Sequence, residues 1–359
     1  MDRIYEIAKA LVTLPGVSGD EQRALPELQK LLNGYFDETG CTPVSSFYGI
    51  RRSKKPNAGT VLLDAHLDTV GFMVTRLCDG GFLKVAPIGR VAEKNLSASE
   101  VWVYGEEKIP GVFASKPPHL QEPGESEKKI SLSDLSIDTG LSKERLEELV
   151  RIGTYVGFKA EPELLNDRIA VSPSFDDRLC AAAHLRALEL LGDEDVGVNI
   201  AFQFSAREEQ GYKGAMTTAY RIDPDIAIVM DVGHAYVPGA PERRKTAIAG
   251  KGCLLSYSPQ TSRRLTVWTE ALAKRENIPV QPIAEPGRTG TNSNAVQTTR
   301  DGIPVCLLSV PLKNMHTANE VADLRDARAA ADLVAAMLRH IATEQEGLFR
   351  HGKNESSVF

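Results

Sequence analysis

Phe175-Asp176-Asp177-Arg178 sets two adjacent carboxylates directly before a helix-like apolar run in this sequence of 359 residues. An aspartate in this place is typical of an N-cap, whose side chain accepts hydrogen bonds from the free N–H groups of the first helical turn. The alternative interpretation makes Asp176 a carboxylate that two metal ions share. A pair of aspartates does not distinguish a cap from a metal ligand, so the choice depends on what the rest of the chain brings to this point.

Composition argues against several classes of protein. The chain has 42 Lys and Arg against 48 Asp and Glu, a formal net charge of −6, and no basic cluster that could neutralise a run of phosphates, so nucleic acid is not an expected partner. Its first residues are acidic where a signal peptide is basic, and no apolar run reaches about 18 residues. The five cysteines are odd in number and lack CxxC spacing, which argues against a disulfide framework and a thiolate zinc site. We therefore expect a cytoplasmic protein without membrane contact.

The pattern of the chain changes twice along its length. Alternating helix and strand patterns, typical of an α/β sheet, occur in residues 1–69 and again in residues 158–359. Between them, residues 70–157 hold short β-like runs separated by glycines, prolines and charges, which predicts a small β-rich domain inserted into the α/β domain. We expect a polar loop at residues 122–129 and a frayed tail from residue 346 onward.

Polar side chains fall at or just past the ends of the predicted strands, where open α/β sheets place their ligands. They are His66 with Asp68, Asp176 with Asp177, Glu208 with Glu209, Asp231, and His316. Each has an ordinary structural explanation when taken alone, as a capping residue, a solvated helix start or a hydrogen-bonded histidine. Five such junctions, all with carboxylate or imidazole groups and none with cysteine, together predict a metal site.

A pair of divalent ions would account for these side chains. We predict that Asp176 bridges the two ions. His66 and Asp231 would complete the first metal site, and Glu209 and His316 would complete the second. Three carboxylates and one bound hydroxide then balance the charge of the two ions, and the mixed oxygen and nitrogen ligands suit Zn²⁺, Co²⁺ or Mn²⁺.

The two remaining acids acquire roles beside the metals. Asp68 lies two residues beyond His66 and is predicted to accept the second N–H of the imidazole, which would select its tautomer. Glu208 precedes a ligand and would stay uncoordinated. It would be free to take a proton from water at the metals and to pass that proton to a leaving amine.

Four segments together resemble the tetrahedral (TET) and glutamyl aminopeptidases, a family of co-catalytic dinuclear metallopeptidases in which some members are named endoglucanases. They are His66-Leu-Asp68-Thr-Val-Gly71-Phe-Met-Val, Asp176-Asp177-Arg178, Glu208-Glu209-Gln-Gly211 and Met315-His316-Thr317. The resemblance extends over nearly the whole chain. It implies an α/β/α catalytic domain with a mixed central sheet and an inserted barrel-like domain for dimerisation and oligomerisation. It also implies dimers as building blocks, in assemblies up to a tetrahedral dodecamer.

The resemblance carries further details of the site. It implies that Asp176 is the bridging ligand, that a cis peptide joins it to Asp177, and that Glu208 is the general acid and base. The chain departs from the family pattern near the site, since Gly290-Thr291-Asn292-Ser293-Asn294-Ala295 stands where the family usually has Gly-Thr-Asp-Ala. Smaller departures are Ser205-Ala-Arg207 before the glutamate pair and Cys180 after Arg178.

The sequence thus predicts a dinuclear metalloaminopeptidase that removes N-terminal residues from peptides. A deacylase or carboxypeptidase stays an alternative, because related hydrolases on similar sheets use the same five ligands. A non-catalytic peptidase-like assembly is a second alternative. A glycosidase fits least, because two carboxyl groups beside a sugar would leave the metal-type ligands unexplained.

Overall fold

The computed structural model describes most of the chain, namely residues 2–117, 119, 130–241, 246–344 and 348–349. The loop predicted at residues 122–129 lies outside the described residues, and so does most of the tail predicted from residue 346. Within the described part of the chain, every helix is too short or too polar to cross a membrane.

The helices are α1 (Arg3–Val12), α2 (Leu25–Leu31), α3 (Lys143–Leu149), α4 (Phe175–Leu191), α5 (Lys213–Ile222), α6 (Arg263–Arg275), α7 (Ser293–Val296) and α8 (Leu324–Ile341). The first nine strands are β1 (Glu38–Cys41), β2 (Phe47–Arg51), β3 (Thr60–His66), β4 (Gly71–Leu77), β5 (Phe82–Ile88), β6 (Glu100–Tyr104), β7 (Lys108–Ala114), β8 (Ser136–Asp138) and β9 (Tyr155–Phe158). They are followed by β10 (Glu163–Leu164), β11 (Ile169–Ser172), β12 (Asn199–Ser205), β13 (Ile226–His234), β14 (Cys253–Tyr257), β15 (Val280–Ala284), β16 (Val305–Lys313) and β17 (Glu320–Asp323).

The central sheet is mixed in strand direction. Strands β12, β3, β13 and β16 lie side by side and parallel. Antiparallel pairing adds β2 and then β1 beside β12, and it adds β17, β11 and β10 on the other side of β16. Because β11 is antiparallel to β17 and β17 is antiparallel to β16, β11 points the same way as the four parallel strands. These five strands, β12, β3, β13, β16 and β11, therefore end at the same edge of the sheet.

Helices cover both faces of this sheet, so the predicted α/β/α architecture is confirmed. On β3, Val61 and Leu63 pack into an apolar cluster with α1, α4 and α8, whereas Leu62 packs into the opposite cluster with α5 and α7. A strand that is buried on both faces has a continuous apolar run instead of an alternating one. The mostly apolar segment Thr60–His66 predicts a buried strand, and the observed β3 has the same bounds.

The part of the chain between β3 and α4 contains a closed barrel with the strand order β4-β5-β8-β7-β6-β9. Its apolar core includes Phe72, whose ring centroid lies 4.9 Å from that of Phe113 and 5.6 Å from that of Phe158. Frequent glycines and prolines between short apolar runs predicted this β-rich module, and the structure confirms it as barrel-like.

Arg178 joins the start of α4 to two distant parts of the chain. It is only 1% exposed and donates hydrogen bonds to the carbonyl oxygens of Leu67 at 3.0 Å, Leu11 at 2.8 Å and Pro15 at 3.1 Å. Burial lowers the pKa of Arg178 to about 10, so the guanidinium stays charged at neutral pH. The side chain therefore holds the end of α1 and the turn after β3 against α4.

We expect Arg178→Met to lower the free energy of unfolding by about 3 kcal/mol, because several buried carbonyl oxygens lose their donor while the aliphatic packing is kept. Urea unfolding measures the change. Arg186→Met on the same helix is the matched control, since Arg186 is partly exposed and forms a surface ion pair with Glu189 at 3.1 Å. That variant should change stability by less than about 0.5 kcal/mol, and equal losses in both variants would contradict the expectation.

Candidate metal centre

The edge where these five strands end carries the five predicted ligands and the predicted base Glu208, all buried or half-buried. In order of their strands they are His66 at the end of β3, Asp176 after β11, Glu208 and Glu209 after β12, Asp231 in β13, and His316 after β16. Residues from five distant parts of the chain meet here because their strands share one direction and one sheet.

Asp231 lies inside its strand and not at the predicted strand end. The sequence predicts a strand that ends at Asp231, whereas β13 continues to His234. The register pairs Val229 with Asp64 on β3, so Asp231 lies level with His66 at the same edge. Further pairing with β16 carries β13 beyond this point, and no local pattern in the sequence marks that pairing.

Asp176 lies between the two histidines. Its Oδ1 is 3.0 Å from Nε2 of His66, and its Oδ2 is 3.0 Å from Nε2 of His316. Oε1 of Glu209 is 3.2 Å from the same nitrogen of His316. On the other side, Oδ1 of Asp231 is 4.0 Å from Nε2 of His66. One carboxylate oxygen for each imidazole is the arrangement that a ligand shared by two ions requires.

Asp177 is a competing ligand candidate next to Asp176. Potential ligand atoms of His66, Asp177 and Asp231 lie within 4.8 Å of one another, as do those of His66, Asp176 and Glu209. Oδ2 of Asp177 accepts a hydrogen bond from the main-chain N–H of His66 at 3.1 Å. The side chain therefore binds the end of β3, whereas the N-cap interpretation predicted that it would bind the first turn of the helix. The peptide bond between the two aspartates is cis, as the resemblance implied.

Hydrogen bonds to the main chain select the tautomer of both imidazoles. Nδ1 of His66 lies 2.8 Å from the carbonyl oxygen of Asp68, and Nδ1 of His316 lies 2.8 Å from that of Arg90. A carbonyl oxygen only accepts, so each Nδ1 carries the proton of the neutral ring and each Nε2 presents a lone pair. In the neutral ring, lone pairs of nitrogen and carboxylate oxygen at 3.0 Å repel unless a proton or a metal ion lies between them, so this donor set fits positive charge and is compatible with metal ions.

The carboxylate of Asp68 has partners other than the predicted one. Its Oδ1 is 3.7 Å from Nδ1 of His66, farther than its own carbonyl oxygen. The two carboxylate oxygens instead accept the main-chain N–H groups of Glu208 at 2.9 Å and Glu209 at 3.2 Å. The turn after β12 presents two successive amides that need acceptors, and Asp68 satisfies both.

Glu320 is a buried residue of this site that the sequence did not reveal. Its Oε1 accepts the main-chain N–H of His316 at 2.7 Å, and its Oε2 accepts that of Asp176 at 3.1 Å. It therefore holds two ligand segments in place through their main chains. Its one signal in the sequence is its position four residues after His316, and that spacing alone does not identify a support.

The electrostatics of the site favour positive charge. Burial lowers the pKa of His316, but its hydrogen bonds to Asp176 and Glu209 raise the pKa more strongly, to about 11. Burial and then the charge of Asp176 raise the pKa of Glu320 to about 8. Crowded buried carboxylates are stabilised when cations balance them, so a metal centre suits this pocket.

Glu208 lies in the same pocket with an oxygen free. It is 7% exposed, and its Oε1 is buried without a hydrogen-bond partner in the described residues. Burial raises its pKa, and the charge of nearby His66 opposes the increase. A buried, positioned carboxylate with a free oxygen is able to accept a proton from water.

Comparison with known proteins places this chain in a family. Residues 46–333 match the model of the M42 glutamyl aminopeptidase family. This chain belongs to that family. It is a metal-dependent aminopeptidase and thus a hydrolase of peptide bonds. The M42 chain is 31% identical to the lysyl aminopeptidase of Pyrococcus furiosus over 94% of this chain and 97% of that protein.

Solved structures of TET peptidases share the fold of this M42 aminopeptidase. The TET aminopeptidase of the marine sediment archaeon Thaumarchaeota archaeon SCGC AB-539-E09 is 28% identical, with a TM-score of 0.90 over 97% of this chain and 99% of that one. The TET1 peptidase of Pyrococcus horikoshii is 26% identical, with a TM-score of 0.81 over 93% of this chain and 99% of that one. That peptidase can assemble into a tetrahedron or a large octahedral shell. The predicted family resemblance is therefore confirmed.

Asn292 lies in the segment that is expected to depart from the family pattern, and it contacts the strand beside the one that carries His66. Asn292 is buried, and its Nδ2 donates a hydrogen bond to Oγ of Ser205 at 2.7 Å. Ser205 pairs with His66 across β12 and β3. The amide of Asn292 therefore contacts the strand that supports a ligand, and it places no negative charge there.

Proposed function

We propose that this aminopeptidase removes N-terminal residues from peptides with two divalent ions bound by five side chains: His66, Asp176, Glu209, Asp231 and His316. The observation that carries the proposal is the position of Asp176, with one carboxylate oxygen 3.0 Å from each imidazole. The mixed carboxylate and imidazole ligands suit Zn²⁺ or Co²⁺, and Mn²⁺ is compatible with them.

The mechanism follows from what the side chains are able to do. When bound, the ions act as Lewis acids that polarise the peptide carbonyl and lower the pKa of water. Glu208 takes the proton of that water through its unpaired Oε1 and then delivers it to the amine of the leaving peptide. Asp68 orients Glu208 by holding its main-chain N–H at 2.9 Å.

The same proposal covers assembly and location. The inserted domain, residues 70–157, would form the contacts of a homo-oligomer, which ranges from a dimer to a tetrahedral dodecamer. Exposed apolar side chains in that domain support this assignment, above all Ile152, which is 74% exposed. The assembly of the Pyrococcus horikoshii peptidase supports it as well. We place the protein in the cytoplasm because its cysteines suit a reducing compartment.

Acetylation of the substrate's N-terminus is expected to slow cleavage by at least about a hundredfold, because a blocked amine loses its interactions in the site. Aminoacyl-p-nitroanilides and their N-acetyl counterparts measure this directly with protein reconstituted in Zn²⁺, Co²⁺ or Mn²⁺. Protein treated with a chelator is the control, and it should cleave neither substrate. Equal release of p-nitroaniline from acetylated and free substrates would contradict the proposal, because a free N-terminal amine would then not be required.

A further inference from the structure

Two buried carboxylates hold the segment after β12 by three successive main-chain N–H groups. Asp68 accepts those of Glu208 and Glu209. Oε1 of Glu21 accepts the preceding one, the N–H of Arg207, at 2.9 Å. The segment that carries the proposed base and a proposed ligand is therefore held by hydrogen bonds to two carboxylates from different parts of the chain.

Glu21 reaches this segment from a part of the chain that is itself attached to the site. The N–H of Ser18 donates to the carbonyl oxygen of Thr69 at 3.0 Å, and the N–H of Thr69 donates to that of Gly16 at 3.0 Å. Glu21 is anchored to the same stretch, because its Oε1 also accepts the N–H of Gly19 at 2.9 Å. The N-terminal stretch thus connects the turn after β3 with the turn after β12.

Arg207 needs such a support because of its backbone conformation. Its φ angle is 58°, in the left-handed region that a side chain other than glycine adopts only at a cost. The next residue is Glu208, so a rotation at Arg207 would redirect the proposed base. The hydrogen bond from Arg207 to Glu21 opposes that rotation.

A contribution to stability does not explain why a glutamate is buried at position 21. The residue is 0% exposed, and its Oε2 is buried without a hydrogen-bond partner among the described residues. Burial and the charge of Asp68 raise the pKa of Glu21 to about 7. Burying a carboxyl group with an unpaired oxygen costs stability, so a different benefit is expected from it.

We propose that Glu21 is a positioning residue for catalysis, which sets the direction of the Glu208 side chain by holding the N–H of Arg207. It does not touch the reacting atoms. For its kinetic consequences the inference rests on the proposed function, in which Glu208 is the base.

The test compares Glu21→Ala with Glu21→Gln in the full chain after metal reconstitution. Glu21→Gln keeps an acceptor for the N–H of Arg207, whereas Glu21→Ala removes it. We expect Glu21→Ala to lower kcat by about tenfold or more with KM within about twofold, since a small displacement of a catalytic group is costly for turnover. Glu21→Gln should restore most of kcat.

Asp326→Ala is the matched control, because Asp326 is also fully buried and accepts two main-chain N–H groups. Asp326 lies in the first turn of α8, and the two groups are the N–H of Gly250 at 2.6 Å and that of Gly252 at 2.7 Å, just before β14. The control should lower the melting temperature while kcat stays within about twofold of the wild type. A fall in kcat equal to that of Glu21→Ala would overturn the proposal, because general destabilisation would then suffice.

A second readout does not depend on activity. In metal-free protein, Glu21→Ala should speed hydrogen exchange of residues 206–212, whereas Glu21→Gln and Asp326→Ala should not. If the wild type cleaves no N-terminal residue, the proposed function fails, and hydrogen exchange still decides whether Glu21 holds this segment. If Glu21→Ala does not fold, Glu21→Asp replaces it, because the shorter side chain withdraws the acceptor. Unchanged exchange in the variant that folds would overturn the proposal.

Discussion

Glu208→Gln is expected to lower kcat by roughly a thousandfold, within the range that a general acid and base contributes, while metal content stays that of the wild type. Glutamine has the same shape as glutamate and leaves the main-chain hydrogen bond to Asp68 intact. It lacks a basic oxygen, however, so neither the removal of a proton from water nor its delivery to the leaving amine proceeds.

Two measurements on one preparation make this test decisive. Turnover of an aminoacyl-p-nitroanilide reports catalysis, and elemental analysis reports metal content. Glu344→Gln is the control, because Glu344 bonds to Trp268 and Arg275 outside the site, and that variant should keep wild-type turnover. If Glu208→Gln retained its turnover, another group would have to move the proton and the assignment of the base would be wrong.

Asp176→Asn is expected to lose metal, and with it all measurable turnover. The amide nitrogen carries protons where the second carboxylate oxygen stood, so the side chain no longer offers one anionic oxygen to each imidazole. Residues that only support a ligand already account for about ten- to a hundredfold in metal affinity, and a shared ligand should account for at least that much. Equilibrium titration with Zn²⁺ or Co²⁺ measures the loss.

Asp177→Asn is the informative comparison, because Asp177 is the adjacent buried carboxylate and an alternative ligand. Its amide oxygen would still accept the N–H of His66, so we expect that variant to bind more metal than Asp176→Asn. The reverse order would assign the ligand to Asp177 and would remove the shared carboxylate from the proposed mechanism.

Features that depend on neighbours along the chain could be predicted from the sequence. Strand β3 was predicted with its observed bounds, because burial on both faces leaves a mostly apolar run, interrupted within the strand only by Asp64. The residues at the strand ends were identifiable as possible ligands because their chemical types and their places after apolar runs are local properties. The end of β13 was predicted three residues too early, because pairing with β16 extends it.

The supporting carboxylates are a different case. Asp68 was assigned to the imidazole of His66 because the two are close in sequence, whereas its carboxylate holds the N–H groups of Glu208 and Glu209. Glu21 and Glu320 were not recognised at all. Each accepts a hydrogen bond from a main-chain N–H group in a distant segment of the chain. The residues next to a carboxylate in the sequence do not indicate which distant N–H group it will bind.

By itself, the sequence therefore determined the family, the α/β/α fold with its barrel-like insertion and the chemical types of the side chains proposed as ligands. Only the tertiary structure decided that Asp176 faces both imidazoles and that Asp177 turns its Oδ2 to β3. The physical reason is that these contacts follow from strand order and register in one sheet, where β11 points the same way as β3 and β16 through two antiparallel pairings. Long-range pairing of this kind has no local signature in the residues it joins.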